Sequence, residues 1–392
     1  MLKLFFWKKP QVNLNILYFM AFFLALAGAL PTYIQSSHLE NFFGLSTVTW
    51  FFIMANLISI LAILFFPRLI KKFGNYQITW SVSLIFILSL VGLGLSTHYI
   101  LIFLFFILMQ LAFNLIWINM DIFVESFSTN GSTGKTRTTY FTIINLAWII
   151  SPSISANLIS LNNYSNIFLM ASILVIPFLL IFLFYSRKIK TKIRYKKTTT
   201  IQTIKKMIKD PNLRGIFWLA MLLNVFFNTA TIFVPIYLNK VIGFSWSQLG
   251  LMFSLMLIPF ILIEIPAGII ADKYFGEKEM LYLGYIIMII CLCLLFTSTS
   301  TNFWFWSGLL FTSRIGAALV EAMRETYFFK KVCSKEIEKI NLFRTAIPFG
   351  HLLGSIISLL VLFFLPVNYI FIITALVICS AFPFLLTIKD TK

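Results

Sequence analysis

The residues of this chain that could do chemistry are charged and amide side chains set inside long apolar runs. Glu264, Arg314 and His351 each interrupt such a run. Asp121, Glu125, Glu321, Arg324, Glu325 and Arg344 cluster near the ends of others, and Gln110, Asn114 and Asn228 bring uncharged amides. Their chemistry is holding and relaying. A guanidinium binds an anion, a desolvated carboxylate or an imidazole carries a proton, and amides orient a polar solute. Charge inside a bilayer is expensive and marks a cavity or a partner. Bond-making chemistry has little support. The histidines His38, His98 and His351 are scattered, and Cys291, Cys293, Cys333 and Cys379 show neither metal-ligand nor disulfide spacing. Gly131 to Thr136 resembles a phosphate loop, but Thr129 stands where the motif needs its first glycine and no strand precedes it, so nucleotide binding is rejected.

The elements that carry these residues are set by composition. Of 392 residues, 60% are hydrophobic and 11% charged, which excludes a soluble globular domain. A helix needs roughly 20 apolar residues to cross a bilayer. That rule predicts spans at 13–36, 46–66, 78–97, 99–126, 138–160, 166–186, 212–239, 247–271, 280–300, 302–328, 340–364 and 367–388. The basic start, Met1 to Lys9, precedes a first span read as retained, since no small-residue cleavage site comes after it. The net charge of +18 raises nucleic-acid binding, but the basic residues sit in short loops and read as orientation signals. They fall on one side all along the chain, at Arg68 to Lys72, Lys135 and Arg137, Arg187 to Lys209, Lys273 and Lys278, and Lys330 to Lys339. Both termini are therefore expected in the cytoplasm, with the spans in the cell membrane. The longest basic segment divides the chain into a bundle at 1–186, a linker at 187–210 and a bundle at 211–392. Within the linker, Ile201, Ile204, Met207 and Ile208 among lysines fit an amphipathic helix or a solvated linker equally well.

The polar residues fall in stripes at helical spacing: Gln110, Asn114, Trp117, Asp121 and Glu125 on the fourth span; Asn224, Asn228 and Thr231 on the seventh; Ser307, Arg314, Glu321 and Glu325 on the tenth; Asn341, Arg344, Pro348, His351, Ser355 and Ser358 on the eleventh. Ala21, Ala25, Gly28, Thr32 and Gln35 form a small, weakly polar stripe on the first. The third, sixth, ninth and twelfth spans have uncharged interiors and read as supports. There is also a weak repeat. Lys71-Lys72-Phe73-Gly74 aligns with Lys273-Tyr274-Phe275-Gly276, Asp121 and Glu125 with Glu321 and Glu325, and Asn114 with Arg314.

Gly268, Asp272, Lys273 and Gly276 resemble the G-x-x-x-D-(R/K)-x-G-(R/K) loop of the major facilitator superfamily, with Phe275 inserted. Gly276 suits a turn conformation that a side chain disfavours. Ser151-Pro152-Ser-Ile-Ser155-Ala156 resembles the glycine-proline motif of the superfamily's proton antiporters, with Ala or Ser for each glycine; Pro152 is expected to kink a closely packed helix. The resemblance implies an all-α membrane protein of about twelve transmembrane helices in two pseudo-symmetric six-helix halves. It implies a central cavity lined by the first, fourth, seventh and tenth helices, with the second, fifth, eighth and eleventh beside them. It also implies an inner gate in which Arg324 pairs with Asp272 beside Asp121, Glu125, Glu321, Glu325 and Arg344. Substrate is expected at Gln110, Asn114, Asn228 and Arg314. Arg314 could instead be locked in an ion pair with Glu264. Proton coupling is expected through Glu264 or His351. The expected function is alternating-access transport of a small organic solute, with export favoured, in a monomer that needs no cofactor, metal or nucleic acid. Two alternatives stay open: an importer of an anionic nutrient anchored by Arg314, and a transport-inactive sensor or assembly protein on the same fold.

Overall fold

An apolar run in hydrocarbon must satisfy its peptide groups internally, so it becomes a helix. A computed structural model describes residues 14–127, 133–159, 164–189, 200–271, 276–332 and 336–389, and among them lie twelve helices long and apolar enough to cross a membrane. These spans, numbered 1 to 12 in chain order, are Leu14–Thr32, Leu45–Phe66, Asn75–Leu95, Tyr99–Val124, Thr139–Leu158, Ser165–Phe184, Pro211–Ile242, Trp246–Ile263, Glu277–Thr297, Phe303–Lys331, Lys339–Phe364 and Tyr369–Thr387. No strand occurs among the described residues. The basic start Met1 to Lys9, the loop residues Asp272, Lys273 and Phe275, and Gly131 lie outside the described residues, as do the side-chain surroundings of Glu125, Glu264 and Gly268.

Packing repeats with an offset of six spans. Span 1 packs on spans 5 and 6 as span 7 packs on 11 and 12; the pairs 2 with 4, 3 with 4 and 3 with 6 return as 8 with 10, 9 with 10 and 9 with 12. Two seams, span 2 on 11 and span 5 on 8, join the halves and exchange under the same shift. In lipid, helix association depends on close packing and interhelical hydrogen bonds, because the hydrophobic effect gives no advantage to helix contact. Small residues supply the closeness. A Cβ on Gly284 of span 9 would meet the Gly316 carbonyl of span 10 at 2.7 Å, and one on Gly250 of span 8 would overlap the Ala156 Cβ of span 5.

Three breaks depart from the expected spans, and two of them fall four residues before a proline. A proline leaves the carbonyl four residues earlier without its helical partner. The eleventh span, expected as one helix, ends its first segment at Arg344 (Ile337–Arg344) and restarts as Ala346–Phe364; Pro348 lies four residues after Arg344. The twelfth divides at Cys379, four residues before Pro383. Span 1 closes at Thr32, just after Pro31, through a turn from Ile34 N to the Pro31 carbonyl at 3.0 Å. Gln35, expected on the first span, instead opens a separate short helix, Gln35–Phe42. Span 7 starts on Asp210, whose carboxylate accepts from Asn212 N at 2.9 Å, and ends in a π turn, Tyr237–Ile242. Of the linker's two readings the structure shows a helix, Thr200–Lys209, with Thr203 and Met207 buried and Lys205, Lys206 and Lys209 exposed.

Gly74 and Gly276 occupy equivalent turns after spans 2 and 8, with φ of +82° and +92°. Their ψ values of 153° and 166° complete a conformation that only glycine adopts at low cost. A Cβ on Gly74 would meet nothing within 4 Å, and the same is true of Gly308, which sits in an ordinary helix. Gly74→Ala should therefore cost about 1–3 kcal/mol through backbone strain alone, while Gly308→Ala should be neutral or stabilising by about 0.4–1 kcal/mol. Thermal unfolding of the two variants checks this; equal midpoints would show that the turn relaxes freely.

Candidate functional site: a central cavity between the halves

Between the halves lies a cavity of about 400 Å³. Its walls come from spans 1, 2, 4, 5, 7, 8, 10 and 11 and the residues just beyond span 1. Spans 3, 6, 9 and 12 contribute no lining residue among those described. The wall is mostly aromatic and aliphatic, with a few convergent polar groups, which is how small-molecule sites are built.

Of the residues expected to meet substrate, Gln110, Asn114 and Arg314 line the cavity, and so does His351. Asn114 Nδ2 donates to Ser59 Oγ on span 2 at 3.2 Å. Gln110 reaches Gln35 on the short helix at 3.4 Å. Arg314 is 2% exposed. Its guanidinium lies beside the Tyr33 hydroxyl of the opposite half, donates to Ser313 Oγ at 3.4 Å, and lies over the Phe226 ring, 5.1 Å from the centroid. No ion pair of Arg314 occurs within 4 Å among the described residues. The expected alternative, an ion pair with Glu264, falls on a side chain outside the described residues.

Asn228 requires a correction. It was expected in the cavity wall, but it is fully buried against span 11 and is not among the residues that line this cavity. Gly350 and Gly354 bring the two helices together: a Cβ at Gly350 would overlap the Met221 carbonyl, and one at Gly354 would meet Asn228 Nδ2 at 2.9 Å. In the amide orientation that pairs both ends, Asn228 donates to Ser355 Oγ and the His351 carbonyl, each at 3.2 Å, and accepts from Ser355 N at 3.1 Å. The seventh-span stripe therefore splits. Thr231 faces the cavity, whereas Asn224 and Asn228 face span 11. Sequence reasoning passed over Tyr33, Asn56, Asn145 and Trp148, all cavity-lining. Asn56 and Asn145 carried the same signal as Asn114, an amide in an apolar run; Tyr33 and Trp148 carried none.

The two ends of the cavity differ. At the face away from the linker, contacts join the halves closely. Lys240 pairs with Glu40 at 2.9 Å, Ser36 Oγ donates to the Ile232 carbonyl at 3.1 Å, and Tyr33 stacks on Phe253 at 5.1 Å. The Pro152 segment lies on the seam of spans 5 and 8, where Ser153 Oγ and Ser254 Oγ are 2.7 Å apart. Ser155 Oγ ties the same segment to the Leu30 carbonyl of span 1 at 2.6 Å. At the linker face, Arg344 pairs with Glu325 at 2.6 Å and reaches Asp121 of the other half at 3.9 Å. Arg324 pairs with Glu321 at 3.2 Å and with Glu325 at 3.9 Å. Arg344 stands at the helix break that Pro348 imposes. Lys330 and the buried Glu277 pair there too.

His38, outside the membrane-spanning segments, is packed against Phe42, Tyr164 and Phe168. Its Nε2 has no partner among the described residues. Burial pushes its pKa down to about 4, because the charged form is left without water.

A family model described as Major Facilitator Superfamily matches residues 12–332. Similar solved structures include a POT family transporter in complex with 5-aminolevulinic acid, at 14% identity, 95% coverage of each chain and a TM-score of 0.76. A POT family transporter in complex with a thioalcohol-conjugated peptide is similar at 14% identity, 95% coverage of each chain and a TM-score of 0.75. At this identity the likeness concerns the fold. No curated protein matches the chain in sequence.

Asn228→Ala should lower stability by about 1–3 kcal/mol, the cost of orphaning buried partners, and should leave ligand affinity nearly unchanged; a large affinity loss at wild-type stability would return Asn228 to the cavity wall. The His38 shift also has a sign. The neutral ring favours the packed arrangement of the Gln35–Phe42 helix, so that stabilisation is complete above the ordinary pKa of 6.5 and is lost as pH falls toward about 4, at about 1.4 kcal/mol per unit. A cysteine at the buried Ser37 should therefore label faster with an impermeant maleimide at pH 5.0 than at pH 7.5, relative to the same cysteine in a His38→Phe background. An unchanged ratio would remove His38 from the control of that helix's packing.

Proposed function

Because the chain belongs to the Major Facilitator Superfamily, we propose that it is a secondary active transporter that carries a small organic solute by alternating access. The observation that supports this best is the cavity itself. Eight spans, four from each half, wall one central chamber, and distinct sets of inter-half contacts lie at its two ends. Alternating access asks for one site and two gates that are not open together. Serine hydroxyls, an exposed ion pair and ring contacts suit one gate, since each is weak enough to break in every cycle. The Arg344 pairs suit the other: Arg344 meets Glu325 within its own half and Asp121 across the gap.

The work would come from an ion gradient. His351 lines the chamber, and Glu264 comes one helical turn after the lining residue Phe260, so we assign proton coupling to this pair. Export is the favoured direction, on the Pro152 segment that resembles the antiporters' motif and packs at the seam of spans 5 and 8. The charge asymmetry of the loops supports both termini on the cytoplasmic side of the cell membrane.

Ser153→Cys with Ser254→Cys tests the mechanism, because the parent oxygens lie 2.7 Å apart and a disulfide needs the Cβ atoms only about 3.5–4.5 Å apart. In proteoliposomes, oxidation of this pair should abolish solute counterflow and reduction should restore it. Wild-type flux through the oxidised protein would refute rocking at this seam. In the same assay, Glu264→Gln and His351→Ala should flatten the dependence of flux on an imposed pH gradient; unaltered flux across pH 5–8 in both would remove proton coupling.

A further inference from the structure

We infer that the chamber is built for an organic monoanion with a flat apolar body, with Arg314 supplying the counter-charge. This deepens the transporter reading and rests on it for the movement that binding would lead to.

Three arginines of the second half, Arg314 and Arg324 buried and Arg344 partly buried, are treated differently. Arg324 has Glu321 at 3.2 Å, and Arg344 has Glu325 at 2.6 Å. Arg314, the most buried of the three, has a phenol beside it, a hydroxyl and two phenylalanine rings, with no carboxylate within 4 Å among the described side chains. A guanidinium does not shed its proton in a protein, so it carries its charge into a desolvated place with only partial compensation. An anion that entered would find a cation whose desolvation has already been met by folding. A carboxylate accepts from guanidinium in a planar, two-bonded fork, roughly twice as strongly as a neutral acceptor such as the Ser313 hydroxyl, which it would displace or share.

The remaining charge limits the ligand to one negative group. Glu321 is the other charged residue in the described lining, and Arg324 already engages it. A second anionic group would have no cation left and would stand near a carboxylate. Cations fare worse: Arg314 repels them, and the rings of Phe226 and Phe227 that would attract them already face its guanidinium. The walls set the shape of the body. Phe141, Trp148, Phe227 and Phe260 present flat apolar faces around about 400 Å³, while Asn56 and Asn145 can accept or donate to one polar substituent.

Three probes with one ring and different charge test this: indole-3-acetate, indole-3-acetamide and tryptamine, in equilibrium dialysis against the purified protein. The acid should bind about tenfold or more tightly than the amide, and tryptamine should bind most weakly. Arg314→Gln should erase the preference for the acid, and Arg314→Lys, which keeps the charge without the fork, should retain part of it. Equal binding of amide and acid, tighter binding of tryptamine, no binding of the acid, or an unchanged preference in Arg314→Gln each overturns the inference. If Arg314→Gln does not fold, the wild-type comparison decides alone. Counterflow of the same probes in proteoliposomes separates the two readings. Acid that binds without flux defeats transport and leaves the anion site standing; tryptamine carried while the acid neither binds nor moves defeats the anion site and leaves transport standing.

Discussion

Hydrocarbon gives a polar group no partner, and the architecture of this protein depends on that constraint. Each polar side chain inside a span must meet another helix, a cavity or its own backbone. The structure uses all three. Thr79, Ser83 and Ser151 return to carbonyls four residues earlier in their own helices. Asn119 reaches Thr79, and the Tyr285 hydroxyl reaches the Leu219 carbonyl, so these polar contacts tie neighbouring helices together. Gln110, Asn114, Thr231 and Arg314 are left to face the chamber. The helices that carry no charged interior residue, spans 3, 6, 9 and 12, stand away from it, because they bring nothing that needs it.

The same constraint sets where the molecule can move. A carbonyl freed by proline cannot be left in lipid, so breaks fall near the spans' ends or beside partners. The Pro348 break places Arg344 next to Glu325 and within reach of Asp121. At the opposite face, the contacts between halves are serine hydroxyls, ring edges and one partly exposed ion pair, each worth about 1 kcal/mol or less in net terms. Tight glycine crossings bind spans 9 to 10 and 7 to 11 within one half, and Gly250 brings span 8 equally close to span 5 across the halves. The polar contacts on that seam are weak enough to be broken in a rigid-body exchange between two states.

Arg314 belongs to both descriptions. It lines the chamber from the second half and lies beside Tyr33, which sits just beyond span 1 and stacks on Phe253 of span 8. Whatever engages the guanidinium also touches a contact that closes one face. A ligand that interacts differently with the two arrangements shifts their balance by that difference in affinity.

How much of this was legible in the amino-acid order can be seen residue by residue. Hydropathy is a sum along the chain, so the twelve spans, the supporting role of four of them and the class of protein needed no neighbour to be known. Helical spacing likewise put Gln110 and Asn114 on one face, and the glycine at Gly276 signalled its turn. Asn228 shows where that reasoning stops. It shares a stripe with Thr231, yet Gly350 and Gly354 pull span 11 onto it, and only the packed pair reveals which helix a stripe meets. Pro348 and Pro31 were visible, but whether a proline bends a span or divides it depends on what receives the freed carbonyl. Arg314 could be read as buried in the bilayer from its position alone. That it meets a phenol and two rings, and that the described residues around it hold no acid, was decided by residues far away in sequence, brought together only by the tertiary fold.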